Sequence, residues 1–133
     1  LHRGVVLSQL DFISPTSDFL SAWPHPGQSE IHVWRAGLLV SDPLVAKLAA
    51  TLDPDEQIRA ARYRFAEHRR RFAAARGGLR SLLAKYLGCT AREIVFAYNA
   101  HGRPELAYPA APSLRFNVSH SSDTALYAFT GLP

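Results

Sequence analysis

The chain has 133 residues, 47% of them hydrophobic and 20% charged, the proportions of one globular domain. Its fourteen aromatic residues exclude a disordered chain, and a single cysteine, Cys89, excludes an internal disulfide framework and a cysteine-based zinc knuckle. The net charge of +4 is mild but unevenly spread: Arg59–Lys85 holds nine of the fifteen Lys and Arg residues against Glu67 alone, a net +8 facing −4 elsewhere. That asymmetry speaks of partners rather than fold, and it points to a polyanion, phosphates first.

No apolar run reaches the roughly 18 residues of a membrane span, and no long apolar stretch follows Arg3 as a secretory signal would need. A soluble, cytoplasmic protein with no membrane partner is the expectation. Leu1 in place of a methionine suggests trimming of a longer chain. Residues 1–29 are poorly patterned and read as an N-terminal extension, mostly loop through Ser14–Ser17 and Trp23–Gly27, with a helical turn at Asp18–Trp23. Glu30–Val40, with Ile31, Val33 and Trp34, reads as a strand.

Asp42-Pro43 supplies an N-cap and a proline at the first helical position, followed by Leu44, Val45, Leu48, Ala49 and Leu52 at helical spacing. Asp53-Pro54-Asp55-Glu56 repeats the start signal, with acids that complement the helix dipole. Helix is expected from there to Leu87, broken near Arg64–Glu67, with Phe72, Leu79, Leu82, Leu83 and Tyr86 on one apolar stripe and Gly88 as the stop. Gly77-Gly78 weakens that helix by about 1 kcal/mol per glycine, which close packing or close approach of a ligand would justify.

Thr90-Ala91-Arg92-Glu93 has capping-box spacing for a brief helical turn. The period then switches to two: Ile94–Tyr98, Ser113–Val118 and Thr124–Thr130 read as strands, with turns at Asn99–Gly102 and Ser121–Asp123. The fold class is therefore α+β, a small antiparallel sheet packed with a long helix.

Three features could carry chemistry. Arg69-Arg70-Arg71 points three ways around a helix, so at least one guanidinium lies near the edge of the buried stripe and can offer its planar fork to a phosphate. The bland alternative is a solvated helix face. Asn99–Leu106 reads by itself as a simple turn, with glycine at positive φ and a stiffening proline. In Arg115–Ser122, Phe116 and Val118 face inward, Asn117 and Ser119 face the other way, and the strand runs out into polar residues. Ser119 and His120 are not a catalytic dyad, since strand neighbours point apart and no G-x-S-x-G elbow exists. A histidine beside hydroxyls suits gripping a phosphate or accepting a proton, or else a structural role. The six histidines show no metal-binding i, i+4 pair, and no Walker loop is present.

The order of these motifs resembles the Sfp-like 4'-phosphopantetheinyl transferases. The resemblance runs through Leu52–Glu56, then Arg59–Phe65, then the arginine-rich helix Arg69–Leu83. It continues through a G-[KR]-P-x-L turn at Gly102-Arg103-Pro104-Glu105-Leu106 and F-N-x-S-H-S at Phe116–Ser121. It implies a chain forming one half of a pseudo-two-fold fold, residues 30–133 being the N-terminal subdomain. It further implies transfer of 4'-phosphopantetheine from coenzyme A to a serine of an acyl or peptidyl carrier protein, in fatty acid, polyketide or nonribosomal peptide biosynthesis. Carried over, Arg59 and Arg71 would lie near the 3'-phosphate of coenzyme A, Arg103 with Pro104 at the nucleotide pocket, and Ser119 and His120 on the phosphates. Mg2+ would bridge the pyrophosphate and stabilise the leaving group.

The family pattern continues with G-[IV]-D-[IVL]-E and W-x-x-K-E, whose acids hold magnesium, whereas this sequence ends at Gly131-Leu132-Pro133. The expectation is a coenzyme A-binding half without the C-terminal subdomain, without a metal site or catalytic residue of its own, and inactive alone. Self-association as a homodimer is expected from the surface the second half would cover. Two other classes stay open. One is a non-catalytic, carrier-docking or truncated paralogue. The other is a nucleic-acid-binding module on the arginine helix, with Tyr63, Phe65 and Phe72 as stacking candidates, although Phe72 is better placed in the core.

Overall fold

The computed structural model describes residues 4–10, 26–27 and 30–131. Strands β1 (Gly4–Gln9) and β2 (Glu30–Gly37) precede helices α1 (Asp42–Ala49), α2 (Pro54–Ala61) and α3 (Ala66–Leu87). A 3-10 turn at Ala91–Glu93 leads into β3 (Val95–Tyr98), β4 (Pro104–Tyr108), β5 (Leu114–Ser121) and β6 (Thr124–Gly131). The architecture is α+β, as expected: a four-stranded sheet in the order β1-β2-β6-β5 packs with the long α3, and β3-β4 form a separate hairpin. The large sheet is mixed rather than wholly antiparallel, because β1 pairs parallel with β2, Val5 beside Ile31 and Leu7 beside Val33.

Strand β1 corrects the expectation of loop at the start of the chain. It is an edge strand in which Val5, Val6 and Leu7 are all exposed, so it lacks the alternation that marks a half-buried strand. The loop at Ser14–Ser17, the helical turn at Asp18–Trp23 and most of Trp23–Gly27 lie outside the described residues.

Helix α1 is capped at Ser41, one residue earlier than expected; Asp42 is already helical, and its carboxylate pairs with Arg70 instead. At α2 the start signal works as read. Asp53 Oδ1 accepts from the Glu56 backbone N–H at 2.8 Å, and Glu56 Oε1 accepts from the Asp53 N–H at 2.9 Å. The break before α3 leaves carbonyls that Arg69 satisfies, its Nη1 donating to Tyr63 O at 2.8 Å and Arg64 O at 3.1 Å. Gly88, at φ 67°, ends the helix in the left-handed region.

Alternate residues of the sheet face α3: Ala125, Tyr127 and Phe129 of β6, Ala36 of β2, and Leu114, Phe116 and Val118 of β5. Against them lie Leu79, Leu82, Leu83 and Tyr86, the stripe expected from the helical period. Tyr127 Oη donates to Ala75 O at 2.7 Å, and burial pushes its ionisation well above the ordinary tyrosine range. Phe72 departs from the expected stripe. It is only half-buried, one turn short of the dense core.

The interior also holds charge that the helical period did not reveal. Glu56 and Arg80 are both fully buried. Arg80 Nε donates to Glu56 Oε1 at 2.7 Å, and its Nη1 donates to Ala91 O and Ile94 O, each at 2.8 Å. Its Nη2 reaches Asp53 Oδ2 at 3.2 Å. One guanidinium thus ties the start of α2 and the entry to β3 onto α3.

The G-R-P segment corrects a second expectation. Asn99–Gly102 is a turn, with Asn99 Oδ1 accepting from the His101 and Arg103 N–H groups at 2.8 and 3.1 Å and Gly102 at φ 77°. Pro104–Tyr108 is then a strand, not a loop exit, with Leu106 opposite Phe96 and Glu105 opposite Ala97. Proline is tolerated there because it is the strand's first residue. Strand β5 likewise runs on past Val118, so Ser119, His120 and Ser121 sit within a hairpin with β6 rather than in a loop.

Candidate functional site

The arginine window divides between structure and surface. Arg80 is buried, and Arg76 Nη1 donates to Glu56 Oε2 at 3.1 Å and to Tyr98 Oη at 2.8 Å. Arg69 closes the α2–α3 break, and Arg70 binds Asp42 and the Val40 carbonyl. Four arginines keep donors for something else. Arg62 and Arg64 are exposed and make no salt bridge among the described residues. Arg59 is half-buried on α2, its guanidinium carbon 4.0 Å from the centroid of the Tyr98 ring. Among the described residues Arg71 pairs with Glu67 alone, at 4.0 Å, and its buried Nε has no hydrogen-bond partner. A donor in that state favours an anion able to accept from it.

Two cavities adjoin on the side of β5 away from β6. The larger, about 600 Å³, lies between β4 and the free edge of β5, and its polar lining is Asn99, Arg103, Glu105, Arg115 and Asn117. The smaller, about 120 Å³, is lined by Phe72, Arg76, Leu79 and His120 with Ala75. Pro104 and Val118 line both, so the two spaces share a wall. The shape is a groove with cationic and amide donors at one end and a half-apolar recess with a histidine at the other.

The expected site residues are brought together in part. Arg103 and Pro104 line the larger cavity, and Pro104 and His120 the smaller. Arg59 joins them through Tyr98 and Arg76, since Arg76 itself lines the smaller cavity. Arg71 precedes the recess residue Phe72 on α3 but lines neither space. Ser119 stands apart. It is opposite Leu126 in the register while His120 is opposite Ala125, so the two side chains leave opposite faces of β5. Sequence reasoning missed Tyr98, Arg76, Phe72 and Asn117 as neighbours of this site. Tyr98 carried one local signal, a half-buried tyrosine closing a strand just before a turn.

Among the described residues no three His, Cys, Asp or Glu side chains gather as metal ligands. One acid, Glu105, lines the larger cavity and accepts from Asn99 Nδ2 at 3.4 Å, whereas Glu56 is committed to Arg80 and Arg76, Asp53 to Arg80, and Asp42 to Arg70. A hard cation needs several free oxygen ligands, and these residues do not fit one. Nor is any helix among the described residues long and apolar enough to cross a membrane.

Residues 41–130 match the family described as 4'-phosphopantetheinyl transferase, N-terminal. The chain is 48% identical over 100 residues to the 4'-phosphopantetheinyl transferase HetI of Nostoc sp., an overlap covering 74% of this chain and 42% of the relative. It is 37% identical over 84 residues to the protein slr0495 of Synechocystis sp., covering 63% of this chain and 34% of that one. A phosphopantetheinyl transferase of Thraustochytrium sp. is 33% identical over 88 residues, with 66% and 31% covered. The chain thus spans less than half the length of each relative.

Proposed function

The chain belongs to the 4'-phosphopantetheinyl transferase family by its N-terminal domain, and from that premise we propose that it supplies the coenzyme A-binding half of a transferase. The reaction moves 4'-phosphopantetheine from coenzyme A to a serine of an acyl or peptidyl carrier protein. The observation that carries the reading is the pair of adjoining cavities, where Arg103, Pro104 and His120 of the two family-like motifs converge.

Coenzyme A presents a pyrophosphate and a 3'-phosphate, and each needs charge-assisted donors. In this proposal the nucleotide lies along the β4–β5 groove against Arg103 and Pro104, with His120 on a phosphate. Arg59 and Arg71 take the 3'-phosphate, a role supported by the unpartnered Arg71 Nε. Ser119 reaches the ligand around the free edge of β5. Magnesium, when bound, would stabilise charge on the adenosine 3',5'-bisphosphate that leaves as the P–O–P bond of coenzyme A breaks. Glu105 is the one described acid that lines the groove, so the remaining ligands would come from elsewhere in the enzyme. A cytoplasmic location and the division into an extension, 1–29, and a subdomain, 30–133, belong to the same proposal.

Calorimetry with coenzyme A and with dephospho-coenzyme A tests it on this chain. A charge-assisted hydrogen bond to the 3'-phosphate is worth about 1.5–3 kcal/mol, so coenzyme A should bind about ten- to a hundredfold more tightly. Equal affinities, or no binding of either, would overturn the reading.

A further inference from the structure

We infer that Tyr98 is a positioning residue for Arg59, holding its guanidinium ready for the anion. The inference rests on the coenzyme A reading above and adds to it a residue outside the family-like motifs. The geometry is a chain of contacts that starts in the interior. Glu56, fully buried, is fixed by Arg80 and by the Asp53 N–H, and its Oε2 accepts from Arg76 Nη1 at 3.1 Å. The same Nη1 donates to Tyr98 Oη at 2.8 Å. The ring so held lies 4.0 Å from the Arg59 guanidinium carbon.

Each link has a physical consequence. A tyrosine at a strand end would otherwise rotate its ring; the bond to Arg76 pins one end of it, and β3 pins the other. A guanidinium over an aromatic face is held by its π surface, which leaves the N–H groups around its rim free to donate. Arg59 makes no salt bridge among the described residues, so no carboxylate competes for those donors. The entropy of ordering a long side chain is then lost in folding rather than in binding. Phenylalanine at 98 would keep the face but lose the anchor. Leucine would lose both.

The test uses the 133-residue chain in three forms, wild type, Tyr98→Phe and Tyr98→Leu, each also combined with Arg59→Ala. Tyr98→Leu should weaken coenzyme A by about two- to fivefold, the size of an exposed cation–π interaction, while leaving dephospho-coenzyme A unchanged. Tyr98→Phe should fall between. With Arg59→Ala already present, Tyr98→Leu should cost nothing more, which a merely structural role would not produce. A ligand-free readout is independent of affinity: the Arg59 Nε–H group should be ordered by NMR relaxation in the wild type and disordered in Tyr98→Leu. An unchanged Arg59 signal, or a Tyr98→Leu penalty that persists without Arg59, would overturn the inference while coenzyme A binding by the wild type still stood. Failure of the wild type to bind coenzyme A would overturn the functional reading and this inference with it.

Discussion

Arg80 and Glu56 meet where neither side chain has any exposed surface, and that pair joins the start of α2 and the entry to β3 to the middle of α3. Removing one partner strands the other charge in the interior, which costs about 3–5 kcal/mol. Glu56→Ala should therefore lower the free energy of unfolding by about that amount. Asp42→Ala breaks the exposed pair with Arg70 and should cost less than about 1 kcal/mol. Urea melts of both variants check the contrast, and equal losses would mean that the buried pair does not anchor α2.

Gly77 faces α1. A Cβ at that position would stand 2.7 Å from Leu48 Cβ and 3.1 Å from Leu48 Cα. Alanine would gain about 1 kcal/mol of helix propensity, but overpacking against a backbone atom costs about 1–3 kcal/mol. Gly77→Ala should be net destabilising, read as a lower melting temperature. A rise in melting temperature would show that α1 can move aside.

Tyr127 sets an alkaline limit. Burial raises its ionisation above the ordinary value of 10.0, so the folded state keeps the phenol neutral after the unfolded chain has begun to ionise. Its contribution is complete below pH 10.0 and is lost as pH rises from there toward the raised folded value. Tyr127→Phe should cost about 1 kcal/mol at neutral pH, for the bond to Ala75 O, and should decline less steeply above pH 10.0. Parallel slopes for the two proteins would assign the alkaline loss to another group.

Self-association is an expected outcome, and the sheet face turned away from α3 is where it should occur. Val5, Leu7 and Leu126 lie on it, 57%, 76% and 43% exposed, beside Ile31 and Val33. Exposed apolar side chains sharing one sheet face, here interrupted by Arg35 beside Leu126, favour a closed two-fold dimer. Sedimentation at micromolar concentration should show a species larger than 14.7 kDa that Leu7→Glu disperses. A wild-type monomer would mean that the face stays solvated.

What the sequence determined by itself was local. The Asp53-Pro54 start, the Gly88 stop, the Thr90–Glu93 capping box and the Asn99–Gly102 turn are each decided within a few residues by donors, acceptors and φ preference. The inward parity of Phe116 and Val118, with Ser119 and His120 pointing apart, also follows from the two-residue period of a strand. Tertiary structure decided the rest. Nothing near Arg80 in the sequence distinguishes it from exposed Arg64, because an arginine is buried only where a carboxylate and carbonyls arrive from elsewhere. Strand β1 exists because β2 offers it an edge, and the groove at Arg103 exists because β4 comes to lie beside β5. Tyr98 reaches Arg59 across 39 positions of chain because Arg76 and Glu56 fix α2 against the end of β3, a relationship between surfaces that no local pattern encodes.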